Sequence, residues 1–184
     1  MYFFVYLKMG KTEKYHLEIQ IDKLTNSIEN TISGDSFPTD VTIVKKPDLK
    51  TVDEIHGWNF DWHTELKLKD RNVYKLTIRN NPNIIQGLAS ISDYTDHFHL
   101  HLVESAPFNL GRKKLYQGVP GNLVAYACKL SWDNGNQGII AFQAKTRLIT
   151  HYESTLGAVH IGGQKMIIFP KQALSLINKY YPDL

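Results

Sequence analysis

Gly118-Val119-Pro120-Gly121-Asn122 runs straight into an apolar helical stripe that begins at Leu123. The first amides of a helix have no partner within it, and the helix dipole favours an anion beside them. A pyrophosphate suits such a turn, although many strand-to-helix bends carry glycine only for the bend. The turn is neither G-x-x-x-x-G-K-[ST] nor G-x-G-x-x-G, so nucleotide hydrolysis and a dinucleotide fold lose support. Arg112, Lys113 and Lys114 stand just upstream, where they could meet a phosphate or simply keep the surface soluble. His97-Phe98-His99-Leu100-His101 is the other conspicuous run. Strand alternation puts its three imidazoles on one face and Phe98, Leu100 and Leu102 on the other. Alternate residues lie ~7 Å apart along a strand, too far for three in line to close on one ion at ~2 Å. A polar sheet face is the expectation, and no metal. Cys128 is the single cysteine, which excludes an intramolecular disulfide and a cysteine-based zinc site.

Periodicity gives the elements that must position these residues. Tyr2 to Leu7 reads as a short buried strand, Tyr15 to Ile21 alternates in strand fashion, and Val41 to Val44 offers another strand. Thr51-Val52-Asp53-Glu54 matches a capping box and predicts a helix through about Leu66, with Trp58 and Trp62 on one face. Val73 to Arg79, Ile84 to Ser92 and His97 to Glu104 form an antiparallel meander joined by polar turns. After a loop from Ser105 to Gln117, Leu123, Ala127 and Leu130 mark a helix by their i, i+4, i+7 spacing. A strand from Gly138 to Gln143 and a helix from Lys145 to Leu156, closed by Gly157, come next. A hairpin around Gly162-Gly163 and a terminal helix from Pro170, with Ala173, Leu176, Ile177 and Tyr180 on its apolar face, end the chain. This order predicts an α/β (α+β) fold: a mixed, mostly antiparallel twisted sheet flanked by helices, in one domain over 1–184. Within it, 1–72 forms the N-terminal part, 73–169 the core and 170–184 the C-terminal helix.

Two further stretches complete a resemblance. Lys145 to Ala158 is a helix with Tyr152 just before a Leu156-Gly157 ending, and Leu102 to Pro107 (LVESAP) is a strand end followed closely by proline. With Gly118 to Leu123, these resemble the GNAT superfamily of acetyl-CoA-dependent N-acetyltransferases, in order and spacing, from about Val73 to Phe169. The helix resembles the family's Tyr-bearing segment, the turn its Q/R-x-x-G-x-G/A pyrophosphate loop, and the strand end the splayed strand that pairs with pantetheine. The resemblance implies acetyl-CoA as co-substrate and direct transfer of its acetyl group to an amine. It makes Val103, Ser105, Lys113, Lys114, Gly118, Val119, Pro120, Gly121, Asn122, Leu123 and Lys145 the cofactor-binding candidates. It also implies Tyr152 as general acid toward the departing thiolate, with core packing as the competing role. Glu104 is the corresponding candidate for general base, against a solvated carboxylate or a water relay. The chain departs from the pattern at Pro120, which has no N–H to give a phosphate, at Leu115 where Arg or Gln is usual, and at Ala158 where Phe is usual. Those departures fit an alternative, a catalytically inactive GNAT-like module that binds CoA or a protein.

Composition sets the outer limits. At 184 residues, with 42% hydrophobic and 21% charged residues, the chain suits one globular domain with a real core. A net charge of +3 spread along the sequence is far from the concentrated basic surface of a nucleic-acid binder. No run approaches the ~20 apolar residues of a membrane helix, and a cytoplasmic location is expected. The acceptor is expected to be a small-molecule or peptide amine of unspecified identity, and oligomeric state is open, a homodimer included.

Overall fold

The computed structural model describes residues 6–8, 11–13 and 16–182. The expected strand from Tyr2 therefore lies mostly outside the described residues. Short strands β1 (Tyr6–Lys8), β2 (Lys11–Glu13), β3 (Ile28–Asn30) and β4 (Ser36–Phe37) precede β5 (Thr39–Ile43). A single-turn helix α1 (Trp62–Glu65) leads to the meander β6 (Asn72–Ile78), β7 (Asn81–Asp93) and β8 (Phe98–Ser105). Then come β9 (Tyr116–Gln117), α2 (Val119–Asp133), β10 (Ile140–Gln143), α3 (Ile149–Leu156), β11 (Val159–His160), β12 (Lys165–Ile168) and α4 (Pro170–Tyr180).

Seven strands make the main sheet in the order β11-β12-β10-β8-β7-β6-β5. Every neighbouring pair is antiparallel except β8 and β10, which run parallel and are in register only at Phe98–Ile140 and His99–Ala141. The expected mixed, mostly antiparallel sheet flanked by helices is therefore present. A small sheet, β4-β3-β9, ties the loop before α2 to the N-terminal part.

Two hydrophobic clusters divide the core. The larger joins Leu76, Ala89, Phe98, Leu100 and Val103 of the sheet to Leu123 of α2, Tyr152 of α3 and Leu176 of α4. The smaller packs Leu49, Trp58 and Trp62 against Val73, Leu88 and Leu102. No helix among the described residues is long and apolar enough to cross a membrane.

Two local expectations fail for identifiable reasons. Residues 51–66 do not form one helix. Asp53 caps a single 3-10 turn by accepting the His56 amide, and Gly57, at φ 90°, turns the chain out of it. Trp58 and Trp62 still meet in one cluster, through a bent chain and not a helical face. In β8 the pairing slips between Ser90 and Ile91, whose partners are Leu102 and Leu100, so His101 is the extra residue of a β-bulge. The bulge reverses the alternation: Leu102 faces the smaller cluster, while Val103 joins Phe98 and Leu100 in the larger. The three histidines do share a region, with ring centroids 6.4 Å apart for His97–His99 and 4.6 Å for His99–His101. Among the described residues no group of three His, Cys, Asp or Glu is placed to hold a metal.

Candidate active site

The parallel pair β8–β10 parts after two residue pairs, and of the expected site residues Val103, Glu104 and Ser105 line the groove beside that opening, while Tyr152, Lys113, Lys114, Lys145 and residues 118–123 are not among its lining. Past the bulge, Val103, Glu104 and Ser105 form the β8 wall of a groove of about 400 Å³, together with Asn59, Phe60, Leu110, Glu18 and Ile19. The start of α2 lies beside this wall because Gly87 of β7 lets it approach. A Cβ there would sit 2.6 Å from Val119 Cγ1 and 2.9 Å from the Glu104 carbonyl oxygen.

Glu104 is buried, and its carboxylate is fully engaged. Oε1 accepts from the Asn59 amide at 2.7 Å and Asn59 Nδ2 at 3.0 Å, while Oε2 accepts from Trp62 Nε1 at 2.7 Å and the Phe60 amide at 3.4 Å. It anchors residues 59–62 at the groove mouth. Glu104→Gln turns an NH₂ group toward these donors and should cost about 2 kcal/mol of stability, measured by urea unfolding.

Gly118 is the N-cap of α2, at φ 89°, and the helix start carries no side-chain cap of its own. A side chain at this position would overlap Thr25 Oγ1 and approach the Ser27 carbonyl oxygen to 2.9 Å. Gly118→Ala should therefore lower stability by about 1–2 kcal/mol, read as a fall in Tm. Val119, Pro120, Gly121, Asn122 and Leu123 are all buried. Asn122 Nδ2 donates to Thr39 Oγ1 at 2.8 Å, which fixes the first turn to β5. Lys113 is exposed. Lys114 pairs with Asp22 at 2.7 Å, and Lys145 pairs with Glu18 at 2.5 Å.

Tyr152 of α3 has 0% exposure and stacks edge-on against Phe142 at 5.4 Å. Burial pushes its phenol well above the usual range, so it is protonated at neutral pH. Its hydroxyl donates to the Ile19 carbonyl at 2.6 Å. Cys128 is likewise fully buried in α2, and burial raises its thiol. It is inert packing and not a nucleophile.

What sequence reasoning missed is the path of residues 16–25. The Leu17 amide donates to the Gln143 carbonyl at 2.6 Å, and the Lys145 amide donates to the Leu17 carbonyl at 3.2 Å. Leu17 thus forms a parallel bridge with Ala144 just past the end of β10. The Ile21 amide donates to His151 Nε2 at 2.9 Å. Asp22 Oδ1 accepts the Gly118 amide at 3.1 Å, so a carboxylate from the N-terminal part ties down the turn that leads into α2. The alternation of Tyr15 to Ile21 signals an extended chain, but nothing in the sequence names its partner.

No family model matches the chain, and no curated protein matches it in sequence. Solved structures do match its fold. A mutant form of the spermidine/spermine N-acetyltransferase SpeG from Vibrio cholerae superposes with TM-score 0.54 at 13% identity, covering 74% of this chain and 98% of that one. A mutant of the toxin AtaT, bound to the C-terminus of the antitoxin AtaR, gives 0.55 at 18% identity, with 75% and 97% covered. AtaTR bound with AcCoA gives 0.54 at 16% identity, with 76% and 98% covered. The chain has the fold of the GNAT acetyltransferases. At these identities it is a divergent example of that fold.

Proposed function

We propose that the protein is an acyl-CoA-dependent N-acyltransferase that moves an acetyl group from acetyl-CoA to an amine. The observation that supports this most is the parting of β8 from β10 beside a glycine-started helix, in a fold shared with a structure holding AcCoA. The groove atoms suit such a donor. The Gln143 carbonyl and Lys145 amide form a strand edge that hydrogen-bonds an extended chain, as Leu17 demonstrates. The Gly118 amide and Lys114 together hold an anionic oxygen pair, as Asp22 demonstrates.

In this reading acetyl-CoA supplies the thioester, and the protein orients it and moves protons. Val103 and Ser105, at the end of β8, flank the acyl carbonyl, where backbone amides stabilise developing negative charge. Gly118 to Leu123, with Lys113 and Lys114, hold the phosphates, and Lys145 borders the pantetheine arm. The neutral amine attacks, the C–N bond forms as the C–S bond breaks, and Tyr152 gives its proton to the departing thiolate. The amine's proton leaves by a water relay to solvent, while Glu104, the other candidate base, has both oxygens engaged by residues 59–62 and holds them at the groove. Asn59 and Phe60 line the same groove, so residues before β6 shape the acceptor side.

A thermal shift with acetyl-CoA, CoA and ATP tests this reading. A ligand at a thousand times its Kd stabilises by about 4 kcal/mol, and the expected order is acetyl-CoA and CoA far above ATP. Equal shifts for all three would sink it. Pro120, which places an imino nitrogen in the first turn of α2, favours a second reading: a GNAT-fold module that binds CoA or a protein without transfer. Retained CoA binding with no thiol release across a broad amine panel selects it.

A further inference from the structure

We propose that residues 16–25 are a built-in competitor for acyl-CoA, a strap that lies along the cofactor groove and must leave it before the donor binds. The proposal rests on the acyltransferase reading above and adds a regulatory step to it.

The strap uses the groove's own hydrogen-bonding atoms. Along an extended strand successive backbone groups point to opposite sides. The Ala144 amide turns toward β12, donating to the Gln164 carbonyl at 2.8 Å. The Gln143 carbonyl and Lys145 amide therefore face the β8 side, and both are taken by Leu17. Leu17 thus occupies the wedge that opens where β8 leaves β10. A pantetheine arm is also an extended chain with amide groups, and this edge cannot pair with both. Two residues on, the Ile19 carbonyl accepts the Tyr152 hydroxyl at 2.6 Å. The proton donor is thereby aimed into the wedge and held by the strap. Three residues further, the Asp22 carboxylate takes the Gly118 amide at 3.1 Å and Lys114 Nζ at 2.7 Å, where an anionic phosphate would be held. Leu24 then shares the cover of Gly121 with Tyr180 of α4: a Cβ on that glycine would lie 2.9 Å from Leu24 Cδ2 and 2.5 Å from the Tyr180 hydroxyl.

The attachment is suited to release. Glu18, Gln20, Asp22 and Lys23 are exposed, while Leu17, Ile21 and Thr25 are the buried anchors. Downstream, β3 is held independently by β4 and β9, which gives the strap a fixed point to swing from. A donor that binds only the strap-out state has its apparent Kd raised by the inverse of that state's population, and loosening the strap removes the penalty.

Hydrogen exchange on the wild-type protein, with and without saturating acetyl-CoA, reads the strap directly. The amides of Leu17 and Ile21 should lose protection when acetyl-CoA binds. Calorimetry on the double variant Leu17→Ala, Asp22→Asn should show acetyl-CoA binding at least about tenfold tighter than to wild type. Binding by the variant alone would support the strap equally. If acetyl-CoA binds wild type and protection of these amides is unchanged, the strap is overturned and the acyltransferase reading survives. If neither protein binds acetyl-CoA while the variant keeps its native near-UV spectrum, the cofactor reading falls and takes the strap with it.

Discussion

Between pH 6.5 and 4 the protein should lose stability along a slope approaching two protons per molecule. His99 and His101 cause it. Burial, followed by the neighbouring His97 and Arg71, pulls His99 down to about 4. Burial, with His99 and Arg71 behind it, pulls His101 to about 2. Both imidazoles stay neutral in the folded protein through this window, and His101 Nε2 is paired with Ser92 Oγ at 2.7 Å. In the unfolded chain each takes a proton below about 6.5. The unfolded state then binds more protons, so unfolding becomes easier as pH falls. A shift of 6.5 to about 4 corresponds to about 3 kcal/mol for His99 by pH 4, and His101 contributes a similar amount over the same window. Urea midpoints from pH 7 to 4 measure the slope, and His99→Gln should flatten it by about one proton. A midpoint that does not move between pH 7 and 5 would contradict the buried, neutral pair.

How much of this could be read in advance depended on how local the signal was. The meander, α2, α3, the last hairpin and α4 each have their own period and punctuation, and the chain follows them. Pro170 opens α4, whose Ala173, Leu176, Ile177 and Tyr180 are all buried. Gly157 closes α3 at φ 65°. Residues 51–66 mislead because a capping box satisfies one turn as well as four, and Gly57 leaves the helical region only once its own φ is known. In FHLHLVES the alternation breaks where Leu102 and Val103 stand side by side, but that break alone does not locate the bulge; only pairing with β7 shows that His101 is the extra residue. At the site, the sequence carries residue types but no information on which distant residues they meet. Gly118, Glu104 and Tyr152 were singled out for chemistry. Yet each has as its partner a residue far off in sequence, Asp22, Trp62 and Ile19 respectively. Those contacts come from the N-terminal part, which carries none of the family resemblance.

On the proposed mechanism, in which Tyr152 protonates the departing thiolate, Tyr152→Phe should lower kcat by about 10²- to 10³-fold, or ~3–4 kcal/mol of transition-state stabilisation. The substitution keeps the ring and its edge-on contact with Phe142, so packing alone predicts almost no change in turnover. It also removes the donor to the Ile19 carbonyl, a loss of about 1 kcal/mol that falls on the strap-in state. Acetyl-CoA should consequently bind the variant as tightly as wild type or a few-fold tighter, although catalysis collapses. That opposite movement separates a proton donor from a residue that merely shapes the groove, whose loss would weaken binding and turnover together. Single-turnover thiol release and calorimetry on the same preparation decide the matter, and a kcat equal to wild type would reduce Tyr152 to a core aromatic that pins the strap.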